Sequence, residues 1–240
     1  MKKLNRNHLK LIALVSMLID HVGVIFCSSL PIIIYNILRS IGRIAFPIFA
    51  YFIAEGFYYT KNRRKYMLTL LIFSIVSQPI FYLITNNAIF FNVLITFLIS
   101  TILMFLYDKF YREQSDTKQM MFYLLFGLVI ATCIIFSMFN ITCDYGLFGI
   151  LLTFLFYVYK NNTNKQLICF LILLGIKVLF DSFVLYKPSF DTFCLLFELL
   201  SIPLICLYNN KKGNLNLKYL FYWFYPAHIL LLYIIKLIIL

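Results

Sequence analysis

The chain has 240 residues, of which 63% are apolar or aromatic and only 12% are charged; a soluble globular domain carries about a quarter charged residues. So small a polar complement cannot coat a water-soluble particle. The formal charge of +12 is split among short connections rather than gathered on one face, which argues against a nucleic-acid surface.

A helix crossing the roughly 30 Å apolar core of a bilayer needs about 20 mostly apolar residues, so this chain has room for about eight to ten spans and no separate soluble domain. It reads as an all-α integral membrane protein, a bundle of nine to ten transmembrane helices forming one domain over 1–240. In chain order the spans are predicted at 9–30, 33–60, 66–85, 88–107, 119–139, 145–159, 166–186, 191–208 and 218–239. The basic start Lys2, Lys3, Arg6 and the apolar run Leu11 to Ile19 have the outline of a leader. Asp20-His21 interrupts that run and no small-residue cleavage site follows, so the reading is a retained first span. The second span contains Pro47, which predicts a kink or two half-helices and, in the latter case, a tenth span.

Basic residues alternate with the spans. Lys2, Lys3, Arg6 and Lys10, then Lys61, Arg63, Arg64 and Lys65, then Lys109, Arg112 and Lys118, then Lys160 and Lys165, then Lys211, Lys212 and Lys218 fall on one side. They make sixteen of the 21 basic residues, against Lys187 and Lys236 on the other side. The positive-inside rule then puts the N-terminus in the cytoplasm and, with nine spans, the C-terminus outside. Abundant Lys, Asn, Ile, Phe and Tyr point to an AT-rich bacterial genome, and so to a bacterial cytoplasmic membrane. The six cysteines show no metal-ligand spacing and read as small packing residues; no metal is expected.

Ionisable residues inside spans cost a few kcal/mol each on insertion scales, so each is a candidate for function. The set is Asp20, His21, Arg39, Arg43, Glu55, Lys177, Asp181, Glu198 and His228. Lys10 and His21 are eleven residues apart, almost three helical turns, so they share one helix face about 16 Å apart along its axis. A surface cation and a deep imidazole on one face suit a ligand with an anionic head and a long reactive arm; a snorkelling lysine and a structural histidine fit the spacing too. His228 lies ten residues past Lys218, about 15 Å deep, on a helix running the same way. Arg39 and Arg43 are one turn apart, and Arg43 is at a depth to form an ion pair with Asp20. Such a pair is either structural or a place for an anionic ligand or oxyanion. Lys177 and Asp181, four apart, read as an internal pair. Glu55-Gly56 either pairs with the Lys61 to Lys65 loop or shapes a ligand mouth, and Asp144-Tyr145-Gly146 marks a turn.

The string itself is familiar. Leu9-Lys10-Leu11-Ile12-Ala13-Leu14 leads to Asp20-His21; then come Arg39-Ser40-Ile41-Gly42-Arg43-Ile44-Ala45-Phe46-Pro47 and Glu55-Gly56-Phe57. Later there are Asp144-Tyr145-Gly146, Tyr208-Asn209 and Phe221-Tyr222-Trp223-Phe224-Tyr225-Pro226-Ala227-His228. Over nearly its whole length the chain resembles the TraX family, whose best-known member acetylates the N-terminus of F-type conjugative pilin. That family is similar to a wider group of transmembrane acyltransferases in which ten residues separate a basic residue from a histidine in an early span, as they separate Lys10 from His21. One departure is Gln78 before Pro79, where Gram-positive relatives often carry an acidic residue.

The resemblance implies transfer of an acetyl group from cytoplasmic acetyl-CoA to an amine or hydroxyl of an exported or envelope acceptor, pilin in the best-known relative. Lys10, Arg6 and Arg39 are the candidates for holding the acyl-CoA. His21 would be the general base or, as a less favoured variant, the nucleophile that carries the acetyl group, with Asp20, Arg43 and His228 as the other candidate catalytic residues, Arg43 or Arg39 facing the thioester oxygen. Two rivals stand beside this reading: a proton- or solute-coupled transporter, and a non-catalytic membrane scaffold for pilus or envelope assembly.

Overall fold

The computed structural model describes residues 3–85, 89–113, 115–184, 193–213 and 218–239, with the backbone alone at 183, 184, 218 and 219. Lys2, Lys187 and the side chain of Lys218, used above for orientation, lie outside what is described, as do residues 88, 185–186 and 191–192 at the ends of three expected spans.

The helices are α1 (Arg6–Ile25), α2 (Ile32–Gly42), α3 (Ala45–Tyr59), α4 (Arg63–Thr85), α5 (Val93–Leu106), α6 (Asp116–Met138), α7 (Gly146–Val158), α8 (Thr163–Leu179), α9 (Ser201–Cys206) and α10 (Lys218–Ile239). One π-helical turn, Tyr107–Tyr111, continues α5; another, Phe180–Val184, continues α8; a 3-10 helix, Leu195–Leu200, runs into α9. Seven helical segments among the described residues are long and apolar enough to cross a membrane, and two apolar ones, Gly146–Val158 and Leu195–Cys206, are shorter. They follow the order read from the sequence, and the protein is an all-α membrane protein.

Ends shift for local reasons. The first helix starts at Arg6, earlier than expected, because the Asn5 side chain caps it, accepting from the His8 N–H at 2.9 Å. In the second segment the chain breaks at Arg43–Ile44, three residues before Pro47. Proline has no N–H to return to the Arg43 carbonyl but sits without cost in the first turn of a new helix. The Ile44 N–H turns instead to Ile41, at 3.3 Å.

The chain forms two compact units, Met1–Phe49 with Asn162–Leu240, and Ala50–Asn161. In the first, α1 packs against α2 and α10. In the second, α5 packs against α4 and α7. Lipid tails are as apolar as leucine, so helices in a membrane adhere through close approach and hydroxyl bonds. The α5–α7 contact follows that rule. Thr96 and Ser100, one turn apart, donate to the carbonyls of Asp144 and Ile150 at 2.5 and 3.2 Å, and Gly149 and Thr153 are buried on the other side. Helix α6 is the opposite case: Phe122 is its one buried residue, and beyond the polar first turn Asp116–Gln119 its exposed surface is mostly apolar.

Two short strands, β1 (Phe90–Phe91) and β2 (Thr142–Cys143), pair in parallel. The turn expected at Asp144-Tyr145-Gly146 is present, with Tyr145 in the left-handed region at φ 62°. Glu55 pairs with Lys160 at 3.3 Å, a partner the sequence did not suggest. Asp108 gathers Arg63 at 2.6 Å, Arg112 at 3.0 Å and the Tyr157 hydroxyl, tying α4, the end of α5 and α7.

Gln78, where the family resemblance led one to expect an acid, works as an amide. Its Oε1 accepts from Asn92 Nδ2 at 2.7 Å and from the Asn92 N–H at 3.0 Å, while its Nε2 donates to the Phe90 carbonyl. Asn92 is fully buried, also donates to the Ser74 carbonyl and caps α5 through Leu94. Asn92→Ala removes the cap and leaves buried acceptors without their donor. It should destabilise the protein by about 1–3 kcal/mol, read as a lowered melting temperature in detergent micelles.

Candidate functional site

Asp20 and His21 are consecutive, so their side chains leave α1 about 100° apart around its axis. Each meets a different neighbour: Asp20 faces α2 and His21 faces α10.

On the α2 side, Asp20 Oδ1 accepts from Arg39 Nη1 at 2.7 Å and from Arg43 Nη2 at 3.0 Å, and Oδ2 accepts from Arg43 Nη2 at 3.2 Å. The expected Asp20–Arg43 pair is therefore present, with Arg39 added on the same oxygen. The two arginines reach one carboxylate because they are one turn apart at the end of α2, where cations also suit the helix dipole. The cluster thus joins two guanidinium groups to one carboxylate. Close approach of the helices depends on Gly42: a Cβ there would collide with the Asp20 carboxylate. Two residues before Gly42, Ser40 donates to the Asn36 carbonyl at 2.8 Å and lies 3.6 Å from Cys194 Sγ.

On the α10 side, His228 Nε2 stands 2.7 Å from His21 Nδ1. Both rings are buried. His228 Nδ1 donates to the Phe224 carbonyl one turn before it, and the Phe224 ring stacks on the imidazole, centroids 4.7 Å apart and planes at 18°. Tyr225 lies edge-on to His21 at 6.1 Å. A backbone carbonyl, that of Met17, also faces the His21 ring.

Lys10 belongs to the same face. Its Nζ sits over the Phe221 ring, 4.2 Å from the centroid, a cation–π geometry. Phe221, Tyr225 and His228 thus form one stripe on α10, at spacings of four and three, that receives Lys10 and His21 from α1. Arg6 opens α1, and its backbone N–H donates to the Lys211 carbonyl at 2.9 Å, so the connection after α9 lies beside the start of α1. Lys177 and Asp181 form their expected pair at 2.8 Å, apart from these clusters.

The structure thus gathers Asp20, Arg39 and Arg43 in one cluster, His21 and His228 in a second, and places Lys10 on the helix face of the second. The aromatic neighbours and Gly42 were not singled out from the sequence. The four-residue step from Phe224 to His228 was a usable signal for a ring bonded back onto its own helix, and the glycine between two arginines inside a span was a signal for close approach.

Gly42→Ala should destabilise the protein by about 1–3 kcal/mol, because a methyl must displace a paired carboxylate. Gly175→Ala is the control: in α8 a Cβ at that position meets no atom within 4 Å. It should be neutral or stabilising by up to about 1 kcal/mol. Thermal unfolding of both variants in the same detergent checks the contrast.

The chain is 29% identical to a probable fimbrial assembly protein FimC, serogroup H1, of Dichelobacter nodosus, covering 93% of this chain and 92% of that protein. It is 27% identical to an uncharacterized protein of Rickettsia prowazekii (strain Madrid E), over 76% of this chain and 67% of that one. No solved structure matches it. The family described as TraX protein matches residues 5–236. With that match spanning both histidines, both arginines and Lys10, the chain belongs to the TraX family.

Proposed function

We propose that this protein is an acyltransferase of a bacterial cytoplasmic membrane, moving an acetyl group from acetyl-CoA on the cytoplasmic side to an amine or hydroxyl of an exported or envelope acceptor. The observation that carries this reading is the pair of buried imidazoles on the helix face that also bears Lys10. An imidazole held in a hydrogen-bonded chain, with a cation about 16 Å along the same helix, suits a base facing the end of a long arm whose anionic head stays at the surface.

In this reading Lys10 and Arg6 hold the anionic nucleotide end of the donor, and Arg39 adds positive charge deeper in the bundle. His21 takes the proton of the attacking amine or hydroxyl. Asp20 orients the two arginines, and Arg43 or Arg39 opposes the negative charge that develops on the thioester oxygen. The name of the Dichelobacter relative, a fimbrial assembly protein, favours a pilus subunit as the acceptor.

The test is transfer of label from acetyl-CoA to membrane or pilus material by purified protein in lipid nanodiscs, with His21→Ala beside the wild type and melting curves to show that both are folded. A general base of this kind contributes about 10²–10⁴-fold, so His21→Ala should lose at least that lower factor. Transfer at the wild-type rate by folded His21→Ala, or no transfer by the wild type to any acceptor together with solute flux in proteoliposomes, overturns the proposal.

A further inference from the structure

The hydrogen-bond chain through the two histidines leaves one consistent placement of protons. The Phe224 carbonyl has no hydrogen to give, so His228 Nδ1 must carry the hydrogen it shares with it. In a neutral ring the other nitrogen, Nε2, then holds a lone pair. That lone pair points at His21 Nδ1, 2.7 Å away. Two lone pairs at that distance repel, so His21 Nδ1 carries a hydrogen as well, and His21 Nε2 is left as its basic nitrogen.

From this we infer that His228 is a positioning residue, which holds His21 in the Nδ1–H tautomer and so selects Nε2 as the atom that accepts a proton. The inference deepens the acyltransfer reading of the same site and rests on it for its chemical use; the tautomer itself stands on the geometry alone. The scaffold for the lock is the last helix. Its own carbonyl fixes the His228 proton, and the Phe224 ring stacked at 18° fixes the plane in which Nε2 points. The groups acting on His21 from its own helix are Asp20 and the Met17 carbonyl; from the end of α2 they are Arg39 and Arg43, and from α10 the His228 and Tyr225 rings.

The proton count closes. The acceptor's N–H or O–H bond breaks, its hydrogen goes to His21 Nε2, and the new bond from nitrogen or oxygen to the acyl carbon forms. The carbon–sulfur bond breaks, and the thiolate leaves with the electron pair and takes the proton from Nε2. His21 returns to its Nδ1–H form, and His228 begins and ends the cycle unchanged. A free imidazole exchanges its two tautomers, so only part of the population presents the right nitrogen. The locked ring presents Nε2 in every molecule.

Nitrogen-15 NMR on the histidine-labelled protein in nanodiscs reads this directly. The chain has three histidines, His8, His21 and His228, and His8→Gln with His228→Gln assigns the signals. The expected result for the wild type is an N–H signal at His21 Nδ1, a lone-pair signal at His21 Nε2, and a scalar coupling across the hydrogen bond between His21 Nδ1 and His228 Nε2. A hydrogen on His21 Nε2, or no coupling between the two rings, overturns the inference.

Kinetics give the second arm. His228→Ala should lower kcat on the order of 10²-fold with KM for acetyl-CoA unchanged, and His228→Gln, whose carbonyl can accept from His21 Nδ1, should recover part of it. Equal kcat in folded His228→Ala and wild type also overturns the positioning role. The two readings fail separately: if the NMR signature is present while His21→Ala transfers acetyl at the wild-type rate, the base assignment falls and the tautomer stands.

Discussion

Asp20 carries a charge that lipid does not solvate, and α2 meets it with two guanidinium groups one helical turn apart. A lone carboxylate in hydrocarbon is costly, and removing either kind of partner would leave buried charge uncompensated. This requirement fixes much around it. It sets the rotation of α1 so that residue 20 faces α2. It sets the distance between the helices, which only a glycine at 42 permits. It also places the end of α2 beside α1, where the chain breaks before Ala45 begins the next helix with Pro47 in its first turn.

The rotation that satisfies Asp20 also aims His21. Consecutive residues leave a helix about 100° apart, so an acid turned to α2 forces its neighbour toward α10. There the ring meets an imidazole rather than an aliphatic side chain, and the two are joined end to end. The ion cluster and the histidine pair are therefore two consequences of one orientation of α1, with Lys10 carried round to the same α10 face eleven residues earlier.

Much of this was legible in the residues. Membrane architecture followed from composition, because a chain with so few charges has no other solvent. The Asp20–Arg43 pair followed from depth counting, and the common face of Lys10 and His21 from helical period. The contact between His21 and His228 was not legible: their depths agreed, but nothing local says which helices touch. The break at Arg43–Ile44 was displaced from the expected proline because the missing N–H acts on the carbonyl a turn earlier. Asp108 and its ring of Arg63, Arg112 and Tyr157 escaped notice since a carboxylate near a basic loop looks solvated until tertiary contacts bury it. Gln78 stood out from the sequence only as a departure from the family pattern, and it is a satisfied amide.

The two guanidinium groups on Asp20 bear on how α1 and α2 can move against each other. A guanidinium forked onto a carboxylate fixes an orientation as well as a distance, and lipid tails offer neither group a substitute partner. Sliding α1 along α2, or turning it about its own axis, would break more than one charged bond at once, so the joint between these helices acts as a clamp rather than a bearing.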